Sequence, residues 1–199
     1  SRVPSNLKDE SQEASKPFTT GELTVTDNGV YLPKDQDLDA FSKVTVEVQV
    51  PKIKVQGDFG GFLKKIIPNE NKYLDLRMFD VSEVNSLNDA FAYTENIYDN
   101  IDTRGWDTSN VTSLVGTFGV CYGISELDLS HWNVDRVTSM GRMFYYALNL
   151  ASINLSNWNL TRVEQMSEMF SACGALTDLI MDNAILPKID LNIALHNSP

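Results

Sequence analysis

The chain has 199 residues, 42% hydrophobic and 10% aromatic, enough for one solid domain and too apolar for a disordered one. Its formal net charge of -11 excludes a nucleic-acid binder, which needs a basic face to displace counterions, and opposes attachment to anionic membranes. No apolar run reaches the ~18 residues of a membrane-spanning helix, so direct membrane insertion is not expected.

Residues 1–18 are polar, hold two prolines and show no periodicity, as a flexible linker or arm does. They lack the apolar stretch of a signal peptide, so either a leader was removed or the chain is cut from a longer protein; its undistinguished end at Asn197-Ser198-Pro199 favours the cut, with any anchor expected outside it. From Gly21 the sequence turns β-rich. Leu23 and Val25, then Val30 and Leu32, flank Asp27-Asn28-Gly29, whose Asn-Gly pair predicts a type I′ hairpin. Val44, Val46, Val48 and Val50 alternate with polar residues, the pattern of a half-buried strand. Ile53 and Val55 resume one residue out of phase after Pro51, which predicts a bulge or corner. Gly57-Asp58-Phe59-Gly60-Gly61 with Lys64 and Lys65 lacks the GxxxxGK[ST] order of a phosphate loop and is expected to be a loop or short turn. Residues 19–70 together predict a β-rich N-terminal cap.

Beyond the cap the chain repeats itself. LDLSHWNVDRVTSMGRMFYYALNLAS, from Leu127, is followed at once by INLSNWNLTRVEQMSEMFSACGALTD. Trp106, Trp132 and Trp158 share one position, as do Phe118, Phe144 and Phe170, and a further step upstream reaches Phe79 and Phe91. A period of roughly 20–50 residues marks a solenoid, whose coils cannot bury their apolar faces alone. Leu127 and Leu129 alternate with Asp128 and Ser130 as a one-sided strand does. Val137, Met140, Phe144 and Leu148 follow at the spacing of a helical face. Each unit therefore predicts a strand, a polar turn and a short helical or irregular return. The fold class is an α/β repeat: a leucine-rich-repeat-like solenoid of about four coils over residues 71–182, with Trp and Phe laddered along its axis. Residues 183–199, with Pro187, read as a C-terminal edge or truncated next repeat.

These units resemble the BspA-like leucine-rich-repeat proteins of bacterial cell surfaces, in the branch whose unit approximates LDLSxWDTSNVTxMxxMFxxCxxL. LDLSHWNVDRVTSMGRMF and GWDTSNVTSLVGTF carry the resemblance over about residues 73–182. The first copy departs from it, with Phe79 in place of Trp, Ala90-Phe91 in place of Met-Phe, and an insertion around residues 95–100. The resemblance implies a secreted or wall-attached protein used in adhesion and names no ligand.

Few residues invite chemistry. Asp128, Ser130 and His131 suggest a triad, but on a strand the first two face away from the third. Cys121 and Cys173 occupy one repeat position two coils apart, too far for a disulfide, and are expected to be buried and apolar. The recurrent Asp75, Asp80, Asp107 and Asp128 fit solvated side chains or turn caps better than calcium ligands, since Asn154 and Asn159 interrupt both series. No catalytic residue, metal ligand or cofactor is therefore assigned. Exposed tryptophans could stack on sugars, whereas a buried ladder would be core. The function expected is a non-enzymatic adhesin module. Its partner is a host or neighbouring-cell surface protein or glycoprotein, such as matrix protein or mucin, met along an outward face of Asp75, Arg77, Asp128, Ser130, Asn154 and Ser156. A carbohydrate-binding module and a passive stalk are the alternatives.

Overall fold

The computed structural model describes residues 25–26, 29–30, 52–66, 73–94 and 100–196. The expected arm at 1–18, the valine strand at 44–50, the loop at 68–71 and most of the insertion lie outside the described residues. The chain divides into two compact units, Ser1–Pro51 and Lys52–Pro199. In the first unit, β1 (Val25–Thr26) and β2 (Gly29–Val30) pair antiparallel, with Val25 opposite Val30. The expected hairpin is present, but Gly29 lies in its second strand, opposite Thr26, instead of at the centre of the turn.

The second unit is a β-solenoid of about four turns, with parallel strands and little helix. One column is made by the short strand of each coil. There β4 (Tyr73–Asp75) pairs with β6 (Asn100–Asp102), and β7 (Glu126–Asp128), β8 (Ser152–Asn154) and β9 (Asp178–Ile180) form a three-stranded sheet, all parallel. A second column starts with β3 (Ile53–Asp58) parallel to β5 (Phe79–Ser86) and continues as single bridges from Ser86 to Ser113, Ser139 and Gln165. The register of β3 against β5 slips between Lys54 and Gln56.

The third side of each coil is the return. Among the described residues it holds no α-helix, only a 3-10 turn at Leu191–Ile193 in the last coil. The Phe91 N–H donates to the Thr117 carbonyl, Phe118 to Met143 and Phe144 to Met169, each one coil further on, so these donors are not available to an i→i−4 ladder. Left-handed residues such as Arg142 and Tyr146, with φ of 55° and 56°, end any helical run. Leu148, expected on the helical face, is consequently exposed, and Leu150 is buried in its place.

The region around residues 57–66, expected to be a loop or turn, contains α1 (Phe59–Ile66). Phe59 and Leu63 stand four apart and are both buried, which gives the helix an apolar face. The Phe59 ring lies 5.0 Å from Phe79 and 6.0 Å from Trp106, so the helix covers the end of the aromatic column. A Cβ at Gly60 would collide with the Asn88 carbonyl, so only glycine permits this approach. Of the expected cap at 19–70, the described residues hold the β1–β2 pair in the first unit, and β3 and α1 in the second.

Candidate functional site

Four successive coils close their strands with the same device. The Oδ1 atoms of Asp75, Asp102, Asp128 and Asn154 accept the N–H two residues on, from Arg77, Arg104, Ser130 and Ser156, at 3.0–3.1 Å. A second series after the aromatic position does likewise: Asp80 to Ser82, Asp107 to Ser109, Asn133 to Asp135 and Asn159 to Thr161. These are Asx turns, which bend the chain at each corner. Hydrogen bonds from Arg77 hold the Asp75 carboxyl below its usual range, and those from Ser82 and Ser109 do the same for Asp80 and Asp107. At Asp128 burial pushes upward, but the hydrogen bonds from Ser130 and the nearby His131 outweigh it.

The residues expected to meet a partner are therefore turn builders first. Register brings Asp75 beside Asp102, and Asp128 beside Asn154, along the strand edge. Arg77 is exposed, bidentate on Asp75 and 3.4 Å from Asp102. Ser130 donates to Asp128 at 2.6 Å. Ser156 is buried at 8% exposure and accepts from the Asp182 N–H, so it leaves the surface set. Asp102 and Arg104, which belong to the same column and form a bidentate pair, were not singled out from the sequence. Aligning NIDTRGW with YLDLRMF and ELDLSHW across the insertion would have found them.

The tryptophans are core. Trp106, Trp132 and Trp158 are exposed by at most 4%, and each indole N–H reaches back one coil, to the Leu76 carbonyl, the Thr103 hydroxyl and the Leu129 carbonyl. Phe91, Phe118, Phe144 and Phe170 stack beside them at 5.0, 5.8 and 5.6 Å with interplanar angles of at most 12°. Sugar stacking on the indoles thus has no surface to use.

Asp128, Ser130 and His131 form no triad. His131 Nε2 lies 3.0 Å from the Thr103 hydroxyl, on the preceding coil, while Ser130 turns to Asp128. Cys121 and Cys173 are buried and free, and donate to the Phe91 and Phe144 carbonyls. Burial pushes both thiols up to about 11, so at neutral pH they act as hydrogen-bond donors and not as nucleophiles. Among the described residues no group of three or more His, Cys, Asp or Glu is placed to hold a metal ion.

A family model described as "Mycoplasma protein of unknown function, DUF285" matches residues 62–183, well over half the chain. The chain belongs to this family. The DUF285 match begins inside α1 and runs through the stacked coils to the start of the C-terminal segment. No curated protein and no solved structure matches the chain.

Proposed function

We propose that this DUF285 protein is a non-enzymatic adhesion module of a bacterial cell surface, of the BspA-like leucine-rich-repeat type. It binds a host or neighbouring-cell protein along the strand-end column. The observation that supports this most directly is the pairing of Asp75 with Asp102 and of Asp128 with Asn154 on neighbouring strands, where Asp102 is buried and Asp128, Arg77 and Arg104 are exposed. A solenoid meets large partners on such a continuous surface. Asp128 and Ser130 cap a turn instead of activating each other, which fits a binding role.

Immobilised matrix protein and mucin, titrated with the chain, test the proposal. Arg77→Ala, Arg104→Ala and Asp128→Asn remove side chains or charge from the column; Asn154 already makes the same turn, so Asp128→Asn keeps the fold. Together they are expected to weaken binding about tenfold or more, an energy within reach of a few interface contacts. Saturable binding untouched by the triple change would exclude the strand edge as the contact. Absence of saturable binding to either surface would count against adhesion itself.

A further inference from the structure

A different face of the solenoid carries exposed rings. The returns are left-handed at two columns of positions, one holding Asp89, Gly116 and Arg142 and the other Tyr93, Val120 and Tyr146, with φ between 54° and 63°. Hydrogen bonds from the Tyr93 N–H to the Gly119 carbonyl, and from Val120 to Tyr145, keep these columns in register along the axis. The middle coil carries no large side chain there: Gly116 and Gly119 are buried beneath their neighbours and Val120 is half-buried. Tyr93 stands on one side of it, 63% exposed, and Tyr146 on the other, 42% exposed, with the Tyr145 ring 4.6 Å from its own. Bulky residues held at positive φ carry backbone strain, and such strain gathers at ligand sites.

We propose that the notch between Tyr93 and Tyr146 binds a neutral oligosaccharide. The backbones that carry the two rings stand two coil steps apart, roughly 10 Å, close to the span of two linked pyranose units. Their faces suit the C–H faces of sugar rings. The polar groups around them are balanced. Asp89 lies against Gly116, where a Cβ would collide with its carboxylate. Arg142 is ion-paired to Glu168 at 2.6 Å and stacks 5.3 Å from the centre of the Tyr145 ring. Lys64 Nζ is 4.9 Å from the centre of the Tyr93 ring. Two cations and two carboxylates make this patch locally neutral in a chain of net charge -11, and they offer donors and acceptors to hydroxyl groups. A strongly charged peptide would meet its own sign whichever charge it carried. This site is separate from the strand edge and stands whether or not that edge binds protein.

Calorimetric titration of the whole chain with cellotetraose, chitotetraose and lacto-N-tetraose tests the assignment. At least one is expected to bind. Tyr93→Ala and Tyr146→Ala should each weaken it about tenfold, while Tyr93→Phe and Tyr146→Phe stay within about twofold because the ring face is kept. Melting temperatures of the variants report that they fold. Binding of none of the three sugars overturns the proposal, as does binding that both alanine variants leave intact. Loss of binding to deglycosylated matrix protein in these variants, without any sugar binding, would make the corner a protein contact instead.

Discussion

Gly116 shows how closely a single position is specified by the coil before it. Its φ is +63°, and an added Cβ would meet the Asp89 carboxylate oxygen. Gly116→Ala is expected to cost about 2–3 kcal/mol, of which about 1 kcal/mol is the left-handed backbone and the rest the collision. In an Asp89→Ala background the collision is gone and only the backbone share should remain. Urea unfolding midpoints with unchanged slope measure both. An equal loss in the two backgrounds would show that Asp89 moves aside freely. The glycine is plain in the sequence, but its reason is not, because the clashing carboxylate is 27 residues away. The cysteines follow the same rule. Spacing showed that Cys121 and Cys173 could not bridge, yet only the stacked coils reveal that each thiol donates to a phenylalanine carbonyl of the preceding coil.

At the scale of the turn, the Asx series makes the coils unequal towards acid. Coil by coil the two turn positions hold Asp75 and Asp80, Asp102 and Asp107, Asp128 and Asn133, then Asn154 and Asn159. Asp75, Asp80, Asp107 and Asp128 all have folded pKa values lowered by the hydrogen bonds they accept. A carboxyl with a depressed folded value contributes stability that is fully present above its unfolded value, near 3.9, and is lost as pH falls through the folded value. Protonation therefore weakens the N-terminal coils first, whereas the asparagine turns of the last full coil do not titrate. Hydrogen exchange followed by mass spectrometry at descending pH should show residues 73–109 losing protection before residues 152–163. Simultaneous loss, or the reverse order, would mean that the turns do not govern acid stability. The alternation of Asp and Asn was visible in the sequence, and its reading as turn caps holds. Of the two forms expected for the return, helical or irregular, the irregular one is present: its 3, 4, 4 spacing matches a helix, but alternate amides bond to the next coil.

For the whole molecule, stability is a sum over neighbouring coils, so position along the stack matters. Phe118 is fully buried and stacked on both sides by Phe91 and Phe144. Among the described residues Phe170 has a stacking neighbour on one side only, Phe144, and it is 7% exposed. Phe118→Ala is expected to cost about 3–5 kcal/mol, and Phe170→Ala distinctly less, since the end of the stack can relax into the cavity. Thermal unfolding of the two variants compares them directly; equal losses would argue against a neighbour-coupled stack. Beyond Phe170 the chain ends its described course in an apolar pocket of about 150 Å³ lined by residues such as Met166, Met169, Met181 and Leu191. Leu179, Leu186 and Leu195, at inward positions of this last coil, are half-exposed there.

The sequence by itself determined that this is a solenoid and which positions recur from coil to coil. A repeat writes the same burial instruction several times, so Trp106, Trp132 and Trp158, or Val111, Val137 and Val163, can be recognised by comparison within one chain. Tertiary structure alone decided what the other residues face. Whether Ser156 is outside or buried, whether a glycine-rich stretch becomes α1, and which tyrosines border one notch all depend on atoms one or two coils away. The physical reason is that coil-to-coil hydrogen bonds set those distances, and their exact register along three sides is written nowhere in a single repeat.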